Sequence, residues 1–165
     1  MNTHKIILSL LVVFCLCSCT TKRYRQSSSS MVPTIKKDEV VTADLRAFES
    51  TTPIRWDVVV FEPPFSAGQI WVSRVVGLPG EVIDITPAGL SINGKVMSIP
   101  SSLKIGAYTL PPPALGPKSN PVTKFPYHIS SDSYFVMGDN VNNALDSRYW
   151  GALKSTNILG RVFGK

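Results

Sequence analysis

The sequence predicts a mostly β domain, sheet or barrel, carried behind a short apolar N-terminal segment. Three observations predict it. Thirteen prolines and eleven glycines in 165 residues disfavour long helices. Apolar runs of strand length recur between turn signals. Beyond the N-terminal run, no helical period of ten or more residues stands out.

The elements follow in order. Residues 20–30, Thr20 to Ser30, read as a polar tether ending in four serines. A strand is expected at Glu39–Leu45. Trp56–Phe61 is a near-continuous apolar run closed by Pro63-Pro64, the pattern of a strand buried on both faces. Ile70–Val76 is another. Gly77–Gly80 is a turn, and Glu81–Ile85 alternates as a half-buried strand does. Leu90–Val96 holds Asn93-Gly94 between short apolar flanks, a two-residue hairpin signal. The proline-rich residues, about 100–130, form a long irregular excursion. Ser133–Met137 and Ile158–Phe163 complete the strands.

Charge and cysteines narrow the classes. The net charge is +6, yet no Lys/Arg cluster alternates with aromatics as in a single-strand binder, so no nucleic-acid partner is expected. Cys15, Cys17 and Cys19 all lie in the apolar segment, and residues 20–165 contain no cysteine. The folded part therefore has no internal disulfide and no thiolate metal site. His128 is its single histidine, so neither a histidine metal centre nor a Ser-His-Asp triad has material. No metal or cofactor is expected.

The N-terminus reads as an address. Residues 6–18 are an apolar run of about 13, suited to a secretory signal and short for a spanning helix of about 20. Leu16-Cys17-Ser18-Cys19 resembles the bacterial lipobox, which implies a signal peptide over residues 1–18 and lipidation of Cys19. Lys22, Arg23 and Arg25 follow the run; on an uncleaved helix they would favour a cytoplasmic C-terminal part, a conflict that signal removal lessens. The expected organisation is a lipidated tether at 19–27 and a folded domain at 28–165. The cell envelope, on the extracytoplasmic side of a bacterial membrane, is the expected location. Eleven residues of tether would let Ser30 lie at most about 36–40 Å from the lipid.

Four segments carry chemistry. They are Ser28-Ser29-Ser30-Met31-Val32-Pro33-Thr34; Arg55-Trp56-Asp57-Val58-Val59-Val60-Phe61; Trp71-Val72-Ser73-Arg74-Val75-Val76-Gly77-Leu78-Pro79-Gly80; and Gly138-Asp139-Asn140 with Asp146-Ser147-Arg148-Tyr149-Trp150-Gly151. Each alone is weak: a serine run is usually a linker, and GLPG is usually a turn. Together and in this order they resemble the bacterial type I signal peptidases, over most of residues 28–163.

The resemblance implies a membrane-anchored serine endopeptidase acting on signal peptides of exported preproteins. It implies Ser30 as nucleophile, with its own N–H and the Ser28 hydroxyl as oxyanion hole. It implies a substrate wall of Gln26, Ser27, Met31, Ile35, Trp71 and Val72, where Gln26 and Ser27 are more polar than the family's usual residues. Asp146 and Arg148 would be a structural ion pair.

Two departures stand against the implied activity. The family's general base is a lysine at the position of Ser73. Burial can lower a lysine's pKa towards neutrality, whereas a serine hydroxyl is a very poor proton acceptor. The serine that orients that lysine is replaced by Ala144, and a family arginine by Val141. Lys36, Lys37, His128 or a group supplied by a partner chain are the candidates for a substitute base. Three functions therefore compete: an endopeptidase with an unusual base, a catalytically inactive lipoprotein that binds exported peptides or a partner, and a specialised pilin-type processing peptidase.

Overall fold

A computed structural model describes residues 20–110 and 123–164. The N-terminal segment with Cys15, Cys17 and Cys19, and much of the proline-rich excursion, lie outside the described residues. Among the described residues no helix is long and apolar enough to cross a membrane.

Among the described residues the strands are β1 (Thr21–Arg25), β2 (Val40–Asp44), β3 (Val58–Phe61), β4 (Trp71–Gly77), β5 (Val82–Thr86), β6 (Gly89–Ile92), β7 (Lys95–Val96), β8 (Tyr127–His128), β9 (Ser133–Met137), β10 (Leu153–Lys154) and β11 (Ile158–Gly164). They form two antiparallel sheets. The larger has the order β1-β2-β11-β3-β4-β9-β10 and the smaller β7-β6-β5-β8. A single α-helical turn, α1, covers Ser147–Trp150, with the Asp146 carboxylate accepting from the Arg148 N–H as its N-cap.

The apolar runs explain the layering. In β3, Val60 packs beneath the Ser30 segment with Met31, Ile35, Val41, Ala43 and Val72. Its neighbours Val59 and Phe61 face the other way, against Val75, Tyr134, Val136 and Leu153. Alternate side chains of one strand thus enter two cores, which is why the run is apolar without a break. A third core lies under the small sheet, around Ile83, Leu90, Phe135 and Tyr108. At the expected hairpin, Asn93 and Gly94 both take positive φ, 50° and 78°, the type I′ requirement.

One expectation fails. Residues 21–25 are not a free tether: β1 pairs with β2 along its whole length, from Thr21 opposite Asp44 to Arg25 opposite Val40. The strand carries charge and is exposed apart from Tyr24, so its order comes from backbone hydrogen bonds at a sheet edge, and charge is what such edges normally carry. Chain slack between residue 20 and Ser30 is correspondingly absent.

The third core also sets an alkaline limit. Burial, with the nearby Asp139 charge, pushes the Tyr108 phenol well above its ordinary range. The unfolded chain loses this proton near pH 10 while the fold retains it, so stability is full below about pH 10 and falls as pH rises beyond it. Tyr108→Phe is expected to flatten the decline in melting temperature between about pH 10 and 11.5 without removing it, because Tyr24, Tyr134 and Tyr149 are shifted up as well. An unchanged slope would show that Tyr108 is not coupled to unfolding.

Candidate active site

The Ser30 segment is a tight turn rather than a strand. The Met31 carbonyl accepts from the Ile35 N–H at 2.8 Å, and Met31 and Ile35 are sunk into the core. That burial presents Ser30 on the surface of a cleft of about 400 Å³. The opposite wall is the start of β4. There, β9 pairs with β4 from Arg74 onward, and Trp71–Ser73 pair only with β3. One backbone edge of Trp71–Ser73 is thus open to the cleft.

The loop between β9 and α1 holds the turn from behind. The Asn140 N–H donates to the Ser30 carbonyl at 2.9 Å. The Asn140 side chain donates to the Ser29 carbonyl at 3.1 Å, and Asn143 Nδ2 to Ser29 Oγ at 2.7 Å. Approach is close enough that Gly138 is obligatory, since a Cβ there would lie 2.6 Å from the Ser30 carbonyl oxygen.

Beneath the turn, Arg74 and Asp139 form a buried bidentate pair, Nε–Oδ1 2.7 Å and Nη2–Oδ2 2.6 Å. Thr34 Oγ1 bonds the same carboxylate, and Arg74 Nη1 donates to the Trp56 carbonyl at 2.8 Å. Burial alone would lower the Arg74 pKa, but the hydrogen bond and charge of Asp139 more than offset it, and the net shift is upward. This pair ties all four sequence motifs together.

At the reacting end, Ser30 Oγ accepts from Ser28 Oγ at 3.0 Å and from Gln26 Nε2 at 3.1 Å. The Ser30 N–H points to Ser28 Oγ at 3.3 Å. Ser73, 4% exposed, lines the cleft on β4 with Ala144 close by. Of the residues lining this cleft, Arg25 is the one that carries a charge, and a guanidinium does not give up its proton in proteins. Lys36 and Lys37 are exposed, and His128 is exposed in the small sheet. None of the three lines the cleft.

The chain belongs to the signal peptidase family, peptidase S26. The family model matches residues 2–164. A signal peptidase I of Leptolyngbya laminosa is 32% identical over 144 residues, covering 82% of this chain and 63% of that protein. Signal peptidase I of Pseudomonas aeruginosa is 29% identical, covering 93% and 67%. A crystal structure of a signal peptidase I from Enterococcus faecalis matches with TM-score 0.50 at 28% identity, covering 68% of this chain and 98% of that one. The chain spans 58–65% of the length of its relatives from Leptolyngbya and Synechocystis.

Within this signal peptidase fold, Gln26, Ser27, Ser28, Ser30, Trp71, Val72 and Ser73 come together around one cleft. Met31 and Ile35 do not join the wall; being apolar and buried, they anchor it from below. Arg25, Asn143 and Leu145 also line the cleft and were not anticipated. Their neighbours in sequence, Gln26 and Ala144, were the available signal. The Asp146–Arg148 pair is wholly enclosed rather than a surface pair.

Proposed function

We propose that this chain is a signal peptidase-fold lipoprotein that binds signal peptides of exported preproteins and does not cleave them at an enzyme's rate. The observation that carries this reading is the cleft inventory: Ser30 and Ser28, the nucleophile and oxyanion donor that the resemblance implies, both line the cleft, and among the described residues no lysine or histidine lines it with them. A positioned general base contributes roughly 10²–10⁴-fold. Without it, amide cleavage through Ser30 falls to the level that the oxyanion hole and binding alone sustain, about 10³–10⁴-fold over water.

Binding needs none of this. The open edge of Trp71–Ser73 and the end of β1 face each other across the cleft, and an extended peptide laid between them gains main-chain hydrogen bonds as an added strand. Apolar groups from Ile70, Trp71, Val72 and Leu145 receive its side chains. Lipidation at Cys19 would hold the cleft close to a membrane surface, where signal peptides are presented.

Full-length protein in detergent, offered a preprotein with an Ala-x-Ala site, is expected to bind it and leave it intact. Cleavage that vanishes in Ser30→Ala would overturn the reading. It would favour the second one, an active endopeptidase with an unusual base, for which the retained Ser28–Ser30 arrangement and family membership speak.

A further inference from the structure

Gln26 stands where the family's usual residue is apolar, and its position is rigid. Its N–H donates to the Glu39 carbonyl at 2.9 Å and its carbonyl accepts from the Asp38 N–H at 2.7 Å. The side chain is 5% exposed. Both hydrogens of Nε2 are directed into the cleft, towards Ser28 Oγ and Ser30 Oγ, each at 3.1 Å.

The amide of Gln26, the Ser28 hydroxyl and the Ser30 N–H therefore converge on one small region. Arg25 also lines the cleft, and its guanidinium donates one N–H to the Asp38 carbonyl at 3.2 Å. The residues that line the cleft include no aspartate or glutamate. For a nucleophile this is a poor setting, because both acceptor positions of Ser30 Oγ are already engaged. For a bound anion it is a good one.

We propose that the cleft captures the free C-terminal carboxylate of an extended peptide, with Gln26 and Arg25 as the recognising groups. This rests on the peptide-binding reading above and names the ligand: a cleaved peptide end rather than an intact chain. A carboxylate is acceptor-only and takes up to about four hydrogen bonds. It can replace the Ser30 oxygen as the partner of the Gln26 amide and the Ser28 hydroxyl, and place its second oxygen towards Arg25. Bonds to an ionised acceptor are roughly twice as strong as neutral ones. A neutral amide at the peptide end brings one acceptor oxygen and two surplus donors, and gains less. Capture of a terminal carboxylate by clustered donors is an established recognition mode. The step is binding alone; no bond is made or broken.

The test uses the full-length chain in detergent micelles and a fluorescent peptide ending in Ala-x-Ala, prepared as the free acid and as the C-terminal amide. Anisotropy at pH 7 is expected to show the acid bound at least about tenfold more tightly, or ~1.4 kcal/mol. Gln26→Leu and Arg25→Gln are each expected to shrink that ratio towards one, with thermal unfolding reporting that the variants fold. Ser28→Ala serves if Gln26→Leu does not fold. An amide bound as tightly as the acid overturns carboxylate capture and leaves peptide binding standing. Binding of neither form overturns both. A preference for the acid that survives all three substitutions in folded proteins also overturns the assignment, because the charge is then read elsewhere.

Discussion

Ser73→Lys combined with Ala144→Ser is expected to raise signal-peptide cleavage far above that of the parent chain. Position 73 is nearly enclosed and borders the cleft shared with Ser30. An amine placed there loses hydration, which disfavours its charged form, and the Arg25 charge on the same cleft pushes its pKa down further. A hydroxyl on residue 144, which borders the same cleft, would give the amine a partner that fixes its direction. The gain should be on the order of 10²–10⁴-fold, the usual worth of a positioned base. Cleavage should rise with pH as the amine deprotonates and disappear on Ser30→Ala. Ser73→Lys alone should give less, since its amine has no orienting group. A double variant that folds and stays inert would show that the missing base is not what prevents turnover.

The second large effect concerns stability. Asp146 and Arg148 are both 0% exposed in their side chains. Arg148 Nε and Nη2 meet the two carboxylate oxygens at 2.8 Å each, and Nη1 donates to the Thr109 carbonyl at 3.1 Å. The same carboxylate receives the Gly138 N–H at 3.0 Å, next to the contact with the Ser30 carbonyl. Asp146→Ala should therefore strand a buried guanidinium and cost about 3–5 kcal/mol. For a domain of this size the melting temperature should drop by on the order of 10 °C. Replacing both partners with apolar residues, Asp146→Leu with Arg148→Met, should recover part of the loss, because the stranded charge then goes too. Arg46→Ala, which breaks the solvent-exposed pair with Glu49, should leave the melting temperature unchanged. A calorimetric scan of the three variants checks the ranking, and an Asp146→Ala protein as stable as the parent would refute the buried-pair account.

Sequence revealed the parts of the fold where side chains decide. Val58–Phe61, Trp71–Gly77 and Ser133–Met137 are apolar because both faces are covered, and their strands fall where expected. Asn93-Gly94 marks its turn because few other residue pairs take two positive φ values. β1 was hidden because the backbone, not its charged side chains, holds it to β2. The site divides the same way. Ser28, Ser30 and Ser73 are picked out by the resemblance, and the fold brings them to one cleft. The link between Arg74 and Asp139 is not legible in the sequence, since 65 residues separate them and each looks like an ordinary surface charge until the fold buries both. The resemblance puts Met31 and Ile35 on the wall, but both side chains lie in the core beneath it. The turn at Ser29–Ile35 reverses them inward.

The edge pairing of β1 has a mechanical consequence. Thr20 already accepts a hydrogen bond from the Leu45 N–H at 2.8 Å, so Thr20 is itself fastened to the sheet. Any pull or tilt applied at Thr20 passes into the sheet as a rigid load and reaches Gln26 directly, a single residue after the strand ends. The height and heading of the cleft are then dictated by whatever holds Thr20.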